Sequence, residues 1–238
     1  MVNHINNKLL SVGRSLFLTS NTIRYRIEYR SILVCLEHIS KPIGSLLDAG
    51  AGSGEMSRKL LATRHCSHLT AIEPYSTNFA KLQENFRHVK NTTVVQAGLE
   101  NIPLPDASMD AVMSTQVFEH ILDHEQAARE VVRVMKPGGS LIISVPHPPE
   151  LYPNPEHVRP GYTEEDLRML FEPLGMTFVH AEYSFTLPTL RRVMAAQAMP
   201  LNGRFLPVTW GDCEAHLSND ERRAQQPFAI TSLFLKSS

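Results

Sequence analysis

Residues 46–57, LLDAGAGSGEMS, decide the fold class of this 238-residue chain. An apolar run ends at Asp48, glycines follow at every second position (Gly50, Gly52 and Gly54), and a helical pattern begins directly after them. A buried strand, a glycine turn and a helix form the repeating unit of doubly wound α/β domains. Ligands of such domains bind beyond the carboxyl ends of the strands, so the sequence predicts a binding site at Asp48 and the glycines.

The alternation of strands and helices continues along the chain. Helical patterns cover 21–39, 55–63, the region of Phe79 and Phe86, 126–135, and a stretch after Thr163, a residue suited to an N-cap. The predicted strands are SLLDAG, HLTAIEP, TTVVQA, DAVMST, SLIISVP, FVHAEYSF and FAITSLFLK. We therefore expect an α/β fold with a doubly wound, mostly parallel, seven-stranded Rossmann-like sheet. A KPGG turn is expected to stop the 126–135 helix, and 186–226 is expected to be a long, irregular insertion.

Composition argues against several functional classes. Hydrophobic residues are 42% and charged residues 20%, and the formal net charge is −1, so no nucleic acid partner is expected. No apolar run has the length of a transmembrane segment, and we expect LLSVGRSLFL near the N-terminus to pack onto the domain, an interfacial helix being the alternative. Cys35, Cys66 and Cys213 are widely spaced and odd in number, which indicates a reduced, cytoplasmic chain.

Two acidic residues narrow the choice of ligand. Asp48 precedes the first glycine by two residues, and the spacing G-x-G-x-G differs from the G-x-G-x-x-G of dinucleotide sites. A carboxylate at Asp48 suits a cation better than a pyrophosphate, and Glu73, after the second strand, can accept hydrogen bonds from ribose hydroxyls. A ligand with a ribose, a positive charge and no phosphate fits S-adenosylmethionine. The alternative is a strand-to-helix turn that needs glycine for its geometry only.

The chain resembles the class I S-adenosylmethionine-dependent methyltransferases of the small-molecule type over roughly residues 44–146. The resemblance lies in LLDAGAGSG, AIEP, AGLENIPLPDASMDAVMSTQVFEHILD and VMKPGGSLIISVP. It implies that Asp48 orients the methionine part of the cofactor and that Glu73 holds the ribose. It also implies that the other contacts come from Ala49, Gly50, Gly52 and Gly54 along the methionine part, Pro74 beside the adenine, and the Gln116 carbonyl at the amino group.

One position departs from the family pattern. Where many relatives carry an aspartate that binds the adenine amine, this chain has Gly98. The adenine is then expected to depend on the Leu99 backbone and on apolar contacts, with Glu100 nearby.

Two histidines are candidate catalytic residues. His120 follows the fourth core strand in FEHILDHE, and His147 follows the fifth in VPHPPE, so both would border the acceptor. An imidazole titrates near neutrality and can take a proton from the acceptor. The alternative for each is a purely structural role in its loop. His157, Arg159 and Tyr162 could bind an acceptor or anchor the loop that carries them.

Several carboxylate and imidazole side chains after the fourth and fifth strands could hold a divalent ion. The available carboxylate and imidazole ligands are Glu119, His120, His124, His147 and His157. Gln116 stands where metal-using RNA-methylating relatives would carry a further acid, and the chain has 11 histidines. We therefore expect no metal.

The sequence supports methyl transfer to oxygen or nitrogen of a small-molecule, natural-product or cell-surface glycan-type acceptor. The insertion offers an apolar and basic wall, or a cap or dimer surface, through Met194, Met199, Leu201, Phe205, Trp210, Arg191, Arg192 and Arg204. Rival interpretations are a nicotinamide oxidoreductase, a non-catalytic cofactor-binding partner subunit, and an RNA methyltransferase.

A single domain is expected over 1–238, as a monomer or homodimer. It would comprise an N-terminal helical segment (1–43), a cofactor-binding core (44–146), acceptor-side loops and a cap (147–227), and a closing strand (228–238).

Overall fold

A computed structural model describes residues 17–18, 20–149, 154–197, 206–207 and 212–237. The chain divides into two compact units. The larger unit contains Ile32–Glu182 together with the residues from Ala229 onward, and the smaller unit contains residues up to Ser31 together with Tyr183–Phe228.

A seven-stranded sheet of order β4-β3-β2-β5-β6-β9-β7 forms the core. Its strands are β2 (Ile43–Ala49), β3 (Cys66–Ile72), β4 (Thr92–Val95), β5 (Met109–Thr115), β6 (Met135–Pro146), β7 (Met176–Thr186) and β9 (Pro227–Lys236). The pairs β2–β3, β3–β4, β2–β5 and β5–β6 are parallel, and β6–β9 is antiparallel. The predicted mostly parallel, seven-stranded α/β fold is confirmed.

The central strands are buried, which explains their apolar runs. Leu47, Ala111 and Ile143 are fully buried, one each on β2, β5 and β6. Parallel strands covered on both faces require apolar residues at successive positions.

Helices connect the strands, and several begin at polar caps. They are α1 (Ser20–Glu37), α2 (Glu55–Ala62), α3 (Ser76–Phe86), α4 (His124–Val134), α5 (Glu164–Phe171), α6 (Leu187–Gln197) and α7 (Asn219–Ala224). Thr163 caps α5 in a capping box with Asp166, as its position before the helix predicts. Asp123 caps α4 by accepting a hydrogen bond from the Gln126 N–H. None of the described helices combines the length and the apolar character needed to cross a membrane.

The KPGG stretch is not a separate turn between the helix and the strand, as the sequence predicted. Strand β6 already begins at Met135, which pairs with Met109, and the next pair is Ala111 with Ser140, so the stretch is a bulge within the strand. A Cβ on Gly139 would lie 2.8 Å from the Lys136 carbonyl oxygen, so the bulge needs glycine there.

The prediction that 186–226 is an irregular insertion is wrong. Helices α6 and α7 lie within this range, in the smaller unit. A short antiparallel pair, β1 (Phe17–Leu18) with β8 (Leu206–Pro207), belongs to this unit. The Glu214 carboxylate accepts hydrogen bonds from the N–H groups of Phe185 and Thr186, at 2.9 and 2.6 Å. The predicted N-terminal packing of residues 9–16, and the wall residues Met199, Leu201, Arg204, Phe205 and Trp210, lie outside the described residues.

Candidate active site

The turn after β2 is fastened to the end of β3. The N–H groups of Gly50 and Ala51 both donate to the Ile72 carbonyl, at 2.9 and 2.8 Å. This pair of bonds holds the glycine turn at the carboxyl edge of the sheet, where ligands of doubly wound domains bind.

The three glycines of the turn have positive φ but different surroundings. A Cβ on Gly50 would collide with Val117, and one on Gly54 would collide with Phe86 and Leu82. A Cβ on Gly52 would meet no protein atom within 4 Å. Gly50 and Gly54 are therefore needed for packing inside the domain, whereas Gly52 faces open space that a ligand can fill.

Asp48 lies at the end of β2 with only 1% of its surface exposed. The Ser57 hydroxyl, from the first turn of α2, donates a short hydrogen bond to its Oδ2. This bond orients the carboxylate, and Ser57, itself fully buried, is a supporting residue that the sequence analysis missed. Its signal is its place nine residues after Asp48, on the helix that follows the glycine turn.

Glu73 follows β3 and is 3% exposed. Its Oε2 accepts from the Gly52 N–H at 2.9 Å, and its Oε1 accepts from the Tyr75 N–H at 3.1 Å. Pro74 and Tyr75 are exposed beside it. The second acid thus touches the same turn as the first, although 24 residues separate them in the sequence.

The Glu100 side chain occupies the space that a side chain at Gly98 would need. The Oε2 atom of Glu100 lies 2.9 Å from the position that a Cβ of Gly98 would occupy. Leu99 between them is buried, with 2% exposure. The carboxylate of Glu100 therefore stands where an acidic side chain at position 98 would project.

Gln116 directly follows β5 and has a left-handed conformation, with φ of 55°. Its N–H donates to the Ser144 carbonyl at 2.7 Å, and its side-chain amide lies 3.5 Å from the Ser144 hydroxyl. The residue is thereby fixed between the ends of β5 and β6, and the strained backbone turns the chain into the next segment.

A short 3₁₀ turn, Phe118–His120, follows Gln116 and carries two candidate residues. Glu119 is fully buried, and the His120 side chain is 26% exposed. The His120 Nδ1 lies 3.0 Å from the Glu156 carbonyl oxygen. A carbonyl only accepts hydrogen bonds, so Nδ1 carries a proton, and in the neutral ring Nε2 holds the lone pair.

Arg159 and Tyr162 anchor this turn. Arg159 Nη1 donates to the carbonyls of Phe118 and Ile121, at 2.8 and 2.7 Å, and the Tyr162 hydroxyl donates to Phe118 at 3.2 Å. Burial raises the pKa of Tyr162 to about 12, so the phenol stays protonated. Of the two roles considered for these residues, the contacts fit the structural one.

The other histidines considered above, His124, His157 and His147, lie in different environments. The His124 Nδ1 lies 2.8 Å from the Tyr162 hydroxyl, and burial, followed by the charge of Arg159, lowers the pKa of His124. His157 packs edge-on against His120, with ring centroids 4.7 Å apart. His147 directly follows β6, as predicted. The structure therefore pairs His120 with His157, a neighbour that lies 37 residues along the chain.

The chain is similar to a family of methyltransferase domains and to several named proteins. A family model described as a methyltransferase domain matches residues 47–143. A "Probable S-adenosylmethionine-dependent methyltransferase" of Mycobacterium tuberculosis is 31% identical over 133 residues, which are 53% of this chain and 47% of that protein. A dimethylglycine N-methyltransferase of Parasynechococcus marenigrum is 32% identical over 107 residues, 43% of this chain and 38% of that protein. The chain thus spans less than half the length of these relatives.

Solved structures extend the comparison to the fold of the whole chain. An S-adenosylmethionine-dependent methyltransferase from Aquifex aeolicus has a TM-score of 0.59 and 16% identity, covering 92% of this chain and 98% of that one. At this identity the similarity shows the fold alone. Together with the acids and glycines at the strand ends, the matching domain model and the relatives support a class I S-adenosylmethionine-dependent methyltransferase domain over residues 47–143, a family whose cofactor is S-adenosylmethionine.

Proposed function

We propose that this chain transfers a methyl group to an oxygen or nitrogen atom of a small-molecule, natural-product or glycan-type acceptor. When bound, S-adenosylmethionine supplies a methyl group on a positively charged sulfur, and S-adenosylhomocysteine is the product that leaves. The single observation that carries the proposal is the open space at Gly52, with the carboxylates of Asp48 and Glu73 at the ends of the adjacent strands β2 and β3.

The residues at this opening fit the cofactor. A buried carboxylate at Asp48 favours the positively charged part of a ligand, because burial strengthens electrostatic attraction. Glu73 already accepts two backbone N–H bonds and has lone pairs left for ribose hydroxyls. The exposed Pro74 offers an apolar surface for the adenine. Glu100, standing in the space of the absent side chain at position 98, would accept a hydrogen bond from the adenine amine.

We assign to His120 the role of the base that takes the proton of the acceptor. Its bond to the Glu156 carbonyl leaves Nε2 as the basic atom, and its partial exposure lets an acceptor approach. A positioned base of this kind contributes about 10²–10⁴-fold to a rate. His147 is assigned to the same side of the site because it follows the neighbouring strand β6.

Two observations support the acceptor class. The related dimethylglycine N-methyltransferase is named for a small amine acceptor. The net charge of −1 offers no general attraction for a nucleic acid. We extend the proposal to a cytoplasmic location, since Cys35, Cys66 and Cys213 are all free thiols, and to a monomer or homodimer.

Two measurements on the full, untagged chain test the proposal. Calorimetry with S-adenosylmethionine and with S-adenosylhomocysteine should show binding of both, and absence of heat from both would refute the cofactor site. Transfer of a labelled methyl group is then screened over amines, hydroxy acids, glycans and RNA. Binding without transfer to any acceptor would favour the non-catalytic subunit, and transfer to RNA alone would overturn the acceptor class.

The base is tested separately. His120→Ala should lower the transfer rate by about 10²-fold or more while cofactor affinity stays within a factor of two. His88→Ala, at an exposed histidine in the turn after α3, is the matched control. Equal rates for His120→Ala and the control would remove the assigned role.

A further inference from the structure

Three metal-ligating side chains meet beside the end of β5. Glu119, His120 and His157 each offer a ligand atom, and these atoms all lie within 4.8 Å of one another. The group lies in the larger unit and combines one carboxylate with two imidazoles. Two of the residues are adjacent in the sequence, and the third comes from a separate loop.

Backbone hydrogen bonds hold the two segments together. The Val158 N–H donates to the Glu119 carbonyl at 2.9 Å, and the His157 N–H donates to the Asn154 carbonyl at 2.9 Å. The Glu156 N–H donates to the Asn154 side chain at 3.1 Å. The loop that presents His157 is therefore fixed against the 3₁₀ turn by main-chain contacts, independently of the three ligating side chains.

The His120 ring is oriented as a ligand would be. Its Nδ1 donates to the Glu156 carbonyl, which directs Nε2 toward the cluster, 3.9 Å from the Glu119 carboxylate. Histidines that bind metals almost always donate their other ring N–H to a carbonyl or carboxylate in this manner. This backbone contact is a second observation, independent of the clustering of ligand atoms.

We propose that Glu119, His120 and His157 bind one divalent first-row transition-metal ion, zinc in the first place. Two imidazoles and one carboxylate suit such ions, and three protein ligands leave a position open for another molecule. Ligand atoms around a tetrahedral zinc lie about 3.4 Å apart, so the side chains close by about 1 Å when the ion binds. The fully buried Glu119 forms the floor of the site, and the partly exposed His120 leaves a path for entry.

The role of the ion rests on the proposed function. A hydroxyl or carboxylate of the acceptor would occupy the open position, and an ion lowers the pKa of an oxygen ligand that it binds. With the ion bound, His120 Nε2 would be a ligand and not the base, so the ion would take over the role proposed for His120 in the metal-free chain, and the proton of an acceptor hydroxyl would pass to solvent. Acceptors with an oxygen beside the methylated atom are the class that this arrangement selects.

Metal binding is tested without cofactor or acceptor. The untagged chain is stripped with a chelator and titrated with Zn²⁺ by calorimetry, and with Co²⁺ by visible absorption. We expect one equivalent to bind and a cobalt spectrum of low coordination number. His157→Asn and Glu119→Gln should each weaken binding at least tenfold, whereas His88→Ala should leave it unchanged.

Failure has a distinct signature. Absence of stoichiometric binding, or equal affinity in the wild type and the correctly folded His157→Asn and Glu119→Gln variants, would overturn the site and leave Glu119 as a structural carboxylate between two histidines. Circular dichroism checks the folding of each variant. Cofactor titration of the metal-free chain is a separate readout, so loss of the metal site and loss of the proposed function can be told apart.

Discussion

The Gly52 N–H donates a hydrogen bond to Oε2 of Glu73 across 2.9 Å, and this bond joins the glycine turn after β2 to the acid after β3. One carboxylate therefore positions the turn and is also the proposed acceptor for the ribose hydroxyls. The two functions attributed to separate sequence motifs depend on the same side chain.

Removing this carboxylate should weaken the cofactor site. Glu73→Ala loses a charged acceptor for ribose hydroxyls, and hydrogen bonds to charged groups contribute about 1.5–3 kcal/mol each, so the Kd for S-adenosylmethionine should rise more than tenfold. Calorimetry measures the effect. Glu84→Ala, at a glutamate 75% exposed on α3, is the control, and similar affinities for the two variants would contradict the assignment.

Substitution of Gly54 should mainly lower stability, whereas substitution of Gly52 should mainly block cofactor binding. Gly54→Ala places a Cβ against Phe86 and Leu82 in a left-handed backbone, and we expect a loss of about 2–5 kcal/mol in the free energy of unfolding. The Cβ of Gly52→Val would meet no protein atom within 4 Å, so the variant should lose only about 1–2 kcal/mol from its backbone, yet fill the space of the ligand.

Urea unfolding and cofactor titration of both variants distinguish these effects. Gly52→Val should remain folded and fail to bind the cofactor. Unchanged affinity in a folded Gly52→Val chain would show that the ligand lies elsewhere.

Glu100 should be replaceable by an acid at position 98. Glu100→Ala removes the carboxylate nearest the space of a side chain at Gly98, and we expect about a tenfold loss of cofactor affinity. Adding Gly98→Asp to Glu100→Ala should restore most of that affinity, since the new carboxylate enters the vacated space. If the double variant binds the cofactor no better than Glu100→Ala, then the Glu100 carboxylate does not act in place of an acid at position 98.

Arg159 should stabilise the 3₁₀ turn Phe118–His120 without contacting the cofactor. Arg159→Met leaves the carbonyls of Phe118 and Ile121 without their charged donor, and we expect a loss of about 2–4 kcal/mol in the free energy of unfolding. Methyl transfer should fall while cofactor affinity stays within a factor of two. Arg129→Met, at an arginine 50% exposed, is the control, and a loss of cofactor affinity in Arg159→Met would point to a direct role.

Local sequence determined the elements and the edge of the sheet at which the site lies. The apolar run before Asp48, the glycines after it and the helical spacing from Glu55 predict strand, turn and helix, because each depends on residues within about one turn of each other. The same rule places Glu73 and Gln116 at strand ends.

Tertiary structure decided the contacts between those elements. The sequence spacing of Gly50, Gly52 and Gly54 is uniform, and only the packing of Val117, Phe86 and Leu82 shows which glycine faces open space. The bulge in β6 likewise depends on its pairing with β5.

The meeting of His157 with Glu119 and His120 depends on bonds between loops 37 residues apart, which no local pattern encodes. Periodicity and turn chemistry act between near neighbours along the chain, and for that reason the sequence by itself determined the strands, the helices and the placing of the acids. The partners across the site were decided only by the folded packing, since burial and hydrogen bonding bring together residues that are distant in the sequence.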